Sequence, residues 1–193
     1  GPYMKRPGFD QIAQGLGGLM SITGEPGRGP MRVGIPIADL TSGLFAALGI
    51  FVALMERQKS GKGQWVQSSL LQAQIFMLDF QAARYLVHDE VPEQAGNNHP
   101  TSIPTGVFKT KDGHINIAAA GNTIWGRLCD AIGKTEWKED PRFLDNADRL
   151  AHRDLLNGMI EELTPTKTSK EWIDLFAKAG VPSGHIYNVG DMF

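Results

Sequence analysis

The sequence predicts a mixed α/β chain in two parts: long buried helices over residues 1–94, then a small α+β domain over residues 95–193. Three observations predict it. Residues 39–59 form a long apolar run with helix boundary signals at both ends. Residues 106–118 alternate on either side of Asp112-Gly113, the pattern of a β-hairpin. Between them, residues 87–105 are a long polar stretch with Pro92, Gly96, Asn97, Asn98 and Pro100, of the kind that joins domains or carries function.

In chain order, residues 9–22 read as a helix with Ile12, Leu16, Leu19 and Met20 on one side. Gly15, Gly17 and Gly18 weaken it by about 1 kcal/mol each. They allow a close backbone approach or simply tight helix packing. G-L-G-G is not a dinucleotide fingerprint, since no strand precedes it and the spacing differs. Residues 23–32 are a Gly/Pro loop whose Arg28 and Arg32 either meet phosphate or stay solvated.

The central run opens at Asp39, closes with Glu56, Arg57 and Lys59, and stops at Ser60-Gly61. Leu40, Leu44, Phe45, Leu48, Phe51, Val52 and Met55 recur at helical spacing. They predict a buried helix of about twenty residues, ~30 Å long. Asp39 has two compatible readings. As an N-cap it satisfies N–H groups of the first turn. As a carboxylate kept ionised by the half-positive helix end, it is a nucleophile on a rigid element. Spacing does not choose between them.

Residues 61–63 form a turn without phosphate-loop spacing. Residues 64–68 alternate as a short strand, and 70–86 read as a second buried helix. His99 is the titratable group of this loop that either faces a ligand or is simply solvated; lacking a second histidine or acid nearby in sequence, it is no metal site. The second part then has a hairpin (106–110 with 114–118) and a helix over 123–132. An irregular stretch (140–146) and two amphipathic helices, 151–163 and 169–179, follow. Thr168 or Ser169 caps the last helix, Gly180 ends it, and a strand over 184–187 closes the domain.

Composition narrows the function classes. Hydrophobic residues make up 41% and the net charge is −2, so no basic excess points to nucleic acid. The single Cys129 excludes an internal disulfide and fits a reducing compartment. It reads as a small core residue, with Asp130 beside it disfavouring a thiolate. The run 44–55 is too short to span a bilayer and no signal peptide is visible, so a cytoplasmic protein away from membranes is expected.

The quoted stretches are similar to one known family. P-I-A-D-L-T-S-G-L-F-A-A-L-G-I, then R-Q-K-S-G-K-G-Q and S-S-L-L-Q-A, resemble the family III CoA-transferases of the formyl-CoA, carnitine-CoA and succinyl-CoA type. R-P-G-F-D-Q-I-A-Q-G-L-G-G-L-M-S-I-T-G resembles the family's segment upstream of its aspartate. G-N-N-H-P-T-S-I-P-T-G-V-F-K-T-K-D-G and G-V-P-S-G-H-I-Y-N-V-G-D-M-F resemble the start and end of its small domain. The agreement runs in order through essentially the whole chain.

The resemblance implies that Asp39 is the catalytic residue, acting through an aspartyl-CoA thioester. It implies a CoA pocket drawing on Phe9, Asp10, Leu70, Gly121 and Asn122. No permanently bound cofactor and no metal are implied; a coenzyme A thioester is the substrate and a carboxylic acid the acceptor. An interlocked homodimer is implied, cytoplasmic, or mitochondrial in a eukaryote. Family members are about twice as long, with a Rossmann-like half upstream, so this chain reads as a fragment. Gly1-Pro2 reads as a tag remnant or as the family's own G-P-Y. Two departures bear on the branch. N-N-H-P-T-S-I-P-T-G lacks the glycine-rich loop of the formyl type and resembles the succinyl type. Phe9 stands where the formyl type has Tyr and the related α-methylacyl-CoA racemases have a catalytic His. A racemase or epimerase of the same fold, and a non-catalytic dimer-forming remnant, are the alternatives.

Overall fold

A computed structural model describes residues 5–193; Gly1 and Pro2 lie outside the described residues. The chain divides into a first unit ending at Gly96 and a second unit, Asn97–Phe193.

The first unit is helical. The helix expected over 9–22 is two: α1, Asp10–Leu16, and α2, Leu19–Ile22. Gly18, at φ +82°, breaks it, because the left-handed region is open to glycine at no steric cost. α3, Ile37–Ser60, has 24 residues and is ~36 Å long. Gly61, at φ +69°, ends it, and its N–H donates to Arg57 O at 2.8 Å. The helix expected over 70–86 is also two, α4, Leu70–Phe76, and α5, Phe80–His88. Between them the N–H groups of Met77, Leu78 and Asp79 each bond three residues back, and Asp79 takes φ +49°. Aspartate tolerates that region better than most residues.

Two further expectations are corrected here. Residues 64–68 pair with no strand among the described residues. They pack along α3 instead: Ser68 Oγ donates to Ser42 O at 2.9 Å, and Val66 lies against Gly49. Alternation alone does not make a strand without a neighbouring ladder. Also, α3 is not buried within this chain. Phe45 meets Phe76 of α4 edge-on at 5.0 Å, but Leu44, Phe51 and Met55 are each about two-thirds exposed, and only Ala38 and Thr41 are buried. By length and mean hydropathy (2.0 over its most apolar window), α3 is long and apolar enough to cross a bilayer, because the helix extends well beyond the run 44–55.

The second unit has its own core. β1, Thr105–Lys109, pairs antiparallel with β2, His114–Ala118, and β2 pairs antiparallel with β3, Ser183–His185. Thr110 N–H donates to Gly113 O to close the hairpin, as Asp112-Gly113 predicts. Phe108, Ile115 and Ile117 point to the buried face against α6, Asn122–Ala131, α8, Arg153–Leu163, and α9, Ser169–Ala179. These cover the sheet with Trp125, Leu128, Leu156, Ile160, Trp172 and Phe176, each such burial contributing ~1.5–3 kcal/mol. The helix expected over 151–163 is α8, which begins two residues later, and a separate helix precedes it: Asp145 caps α7, Asn146–Ala151, and His152 separates it from α8. Thr168, not Ser169, caps α9 in a reciprocal box with Glu171, and Gly180 at φ +70° ends it. A short 3₁₀ turn at Thr135–Lys138 and a terminal helix α10, Val189–Met192, carried no sequence signal strong enough to predict.

Candidate functional site

Asp39 is the third residue of α3 and is solvent-exposed. It is not the N-cap. That position is Pro36, whose side chain accepts nothing. A helix with no cap of its own leaves first-turn N–H groups unsatisfied. Here Asp10, on another helix, fills the role: Ala38 N–H donates to Asp10 Oδ1 at 2.9 Å.

The second oxygen of Asp10 accepts from Gln14 Nε2 at 2.7 Å and faces Arg32 Nη2 at 3.8 Å. Asp10, expected as a cofactor contact, is therefore buried with both oxygens engaged inside the protein. Gln14 is fully buried one turn further along α1; its Oε1 accepts from Val33 N–H at 2.9 Å. Sequence reasoning missed Gln14. The signal was available: Asp10 and Gln14 are four apart and share a face of α1, turned away from the stripe of Phe9, Ile12 and Leu16. Arg32, read as a phosphate ligand or a solvated residue, is exposed and also faces Asp10.

That stripe lines an open apolar groove of about 420 Å³. Its walls are Arg6, Pro7, Gly8, Phe9, Ile12, Ala13 and Leu16, with Leu70 and Leu71 from α4. Two residues that the resemblance names for the CoA pocket, Phe9 and Leu70, thus share one cavity. Phe9 is 79% exposed, so its ring is free to contact a ligand. Asp39 is not among the walls of this groove.

Gly121 and Asn122 lie in the second unit, at the start of α6. Gly121 faces open space. Asn122 Oδ1 accepts from Arg149 Nη2 at 2.9 Å. Arg149 is fully buried and also donates to Ile103 O, Phe143 O and Ala120 O, with its guanidinium 5.3 Å over the Trp125 ring. Burial pushes its pKa down, with Asp145 and Asp148 opposing. Nothing in the local sequence marked Arg149, because a buried arginine at helical spacing reads as a surface one. Asn146 adds a second tie, donating to Thr101 O and accepting from Ile103 N–H. His99 is half-buried rather than solvated: its Nδ1 accepts from the N–H groups of Thr101 and Ser102.

Cys129 is buried, and burial pushes its thiol up to about 12, with Lys138 opposing and Asp130 adding a smaller push upward. Burial, more than the neighbouring Asp130, keeps it protonated. Among the described residues, no three His, Cys, Asp or Glu side chains gather at metal-binding distance.

Comparison with known proteins bears on all of these residues together. The sequence model of CoA-transferase family III matches residues 1–193. Succinyl-CoA–D-citramalate CoA-transferase of Chloroflexus aurantiacus is 36% identical over 193 residues, which are 100% of this chain and 48% of that protein. Human succinyl-CoA:glutarate CoA-transferase is 33% identical over all of this chain and 44% of its own length. Acetyl-CoA:oxalate CoA-transferase of Acetobacter aceti is 34% identical over 99% of this chain and 49% of its own. The chain spans about half the length of the curated relatives it matches. A CAIB/BAIF family protein from Brucella suis superposes at a TM-score of 0.83 with 36% identity, over 100% of this chain and 51% of that one.

Proposed function

The chain belongs to CoA-transferase family III, and from that premise we propose that it is the central part of an enzyme moving coenzyme A between carboxylic acids, with Asp39 as the covalent nucleophile. The observation that carries the reading is an exposed carboxylate in the first turn of a long helix, inside the segment matched by the family.

The chemistry balances without an added proton or electron. Asp39 attacks the thioester carbonyl, the C–S bond breaks, and CoA leaves as a thiolate, so that Asp39 and the acyl group are joined as a mixed anhydride. The thiolate attacks the aspartyl carbonyl, releasing the donor acid and leaving an aspartyl-CoA thioester. The acceptor carboxylate then attacks that thioester, and the second thiolate attack frees product and Asp39. Each covalent step replaces a direct meeting of two anions. Backbone N–H groups supply the oxyanion contacts such steps need, and water is excluded so that the thioester is not hydrolysed.

Phe9, Leu70, Gly121 and Asn122 are proposed CoA or acyl contacts. The exposed apolar faces of α3 are proposed to meet protein rather than lipid: the part of the full-length enzyme outside this chain, and a second subunit. Cytoplasmic location belongs to the same reading. The donor and acceptor named for the relatives, succinyl-CoA and dicarboxylic acids among them, define the substrates to try first.

The test uses the full-length protein. CoA transfer from succinyl-CoA to a dicarboxylic acid is expected in the wild type and lost in Asp39→Ala and Asp39→Asn, with hydroxylamine displacing CoA from the wild-type thioester and leaving Asp39 as its hydroxamate. Near-wild-type transfer in either variant refutes the covalent role. A racemase needs two bases across the α-carbon; Phe9 carries no proton, so no deuterium exchange at that carbon is expected. Rapid exchange without an acceptor acid would assign the racemase instead.

A further inference from the structure

Pro36 gives α3 no side-chain cap, yet the residue next to Asp39 is held at its backbone by another helix. We infer that Asp10 is a positioning residue for Asp39, and that α1 sets the distance between the carboxylate and the apolar groove; this rests on the covalent reading above.

The geometry has three parts. Asp10 Oδ1 receives the Ala38 N–H at 2.9 Å, tying the first turn of α3 to α1 across 28 positions of chain. Gln14 holds the approach to that turn: Oε1 takes the Val33 N–H at 2.9 Å, and Nε2 is shared between Asp10 Oδ2 at 2.7 Å and Ile35 O at 3.4 Å. Asp10, Gln14 and Ala38 are all buried, so the bonds are shielded from competing water.

The other face of the same short helix carries Phe9, Ile12, Ala13 and Leu16, four of the groove walls. Positions 9, 12, 13 and 16 lie within about 100° of arc, and 10 and 14 centre roughly 130° round the helix from that stripe. One rigid element therefore touches the groove on one side and the nucleophile's turn on the other. Neither Asp10 nor Gln14 reaches the solvent at Asp39, so they act on the reaction only through the backbone that carries it. Misplacement of a reacting group by about 1 Å costs on the order of 100-fold in rate, and this cap is the contact that prevents it.

The full-length enzyme tests this. Asp10→Ala, which leaves Ala38 N–H without its acceptor, is expected to lower kcat roughly 10- to 100-fold while KM for the acyl-CoA stays within about threefold, because the groove wall is untouched. The rate of thioester formation on Asp39, read by hydroxylamine trapping and mass spectrometry, falls by the same factor. Asp10→Asn keeps an acceptor oxygen for Ala38 and recovers most of the loss. If Asp10→Ala does not fold by its thermal melt, Gln14→Met is measured instead and is to show the same fall in kcat at unchanged KM. Trapping at wild-type rate in a folded Asp10→Ala or Gln14→Met overturns the positioning role, as does a loss confined to KM. Absence of any adduct on Asp39 in the wild type is a different failure: it removes the covalent reading, and this inference with it.

Discussion

Gly17 lies against the side chain of Gln74 so closely that a methyl on Gly17 would sit 1.3 Å from Gln74 Oε1. This contact explains one of the three glycines in a stretch that the sequence reads as helical. Gly18 supplies the left-handed turn beside it, while Gly15 meets nothing closer than Met20 Sδ at 3.7 Å. Close approach and chain reversal are thus divided between two adjacent residues, and the contact joins α1 to α4, the two helices that wall the groove.

Gly17→Ala is accordingly expected to destabilise the full-length protein by about 1–3 kcal/mol, the range for overpacking a filled interior. Gln74→Ala should recover much of the loss when combined with it, because it removes the atom in the way. Urea denaturation of the two single variants and the double variant measures the coupling. Additive losses would show that the clash is not the cause.

Arg149 is the most heavily bonded side chain of the second unit, with four acceptors from four separate residues. Replacing it with Met leaves the buried carbonyls of Ile103 and Phe143 without this donor and should cost about 3 kcal/mol or more. Lys does not restore it, since a single ammonium cannot reproduce the planar fork. Thermal unfolding of Arg149→Met and Arg149→Lys checks this; a melting temperature unchanged in Lys would mean that charge alone suffices.

Cys129 should be inert in the folded protein. With its thiol pushed up to about 12 and its side chain fully buried, it presents almost no thiolate at pH 8. A maleimide or disulfide reagent is expected to label it only after denaturation. Fast stoichiometric labelling under native conditions would show that the helix α6 around it opens readily.

Acid stability follows from carboxylates held below their usual range. Asp140 falls from 3.8 to about 2, chiefly through its bond to the Arg142 side chain, and Asp112 is lowered by accepting from Ser169 N–H. Glu171 is lowered by the Thr168 N–H in the cap of α9. A depressed carboxylate stabilises the fold fully above its unfolded value and ceases to as pH falls through the folded one. Melting temperature is therefore expected to hold to about pH 4.5 and to fall between roughly pH 4 and 2. Asp112→Asn should remove part of that dependence. A curve flat to pH 2 would contradict the role of these bonds.

The hairpin, the three main helices of the second unit and the caps of α9 were legible because each rests on neighbours in sequence. Asp112-Gly113 makes a turn, Thr168 meets the N–H three residues on, and Gly180 ends a helix, whatever the rest of the chain does. Asp39 was likewise legible as the carboxylate at the head of the long helix, and the family segments pointed to it. The tertiary structure decided what depends on partners distant in the chain. It gave the capping role, one of the two readings of Asp39, to Asp10, buried Arg149 among carbonyls from three segments, split two expected helices, and left residues 64–68 lying along α3 without a strand to pair with. It also showed α3 with its apolar faces uncovered. Hydrophobic spacing reports that a face is meant to be covered; only the surrounding chain determines what covers it.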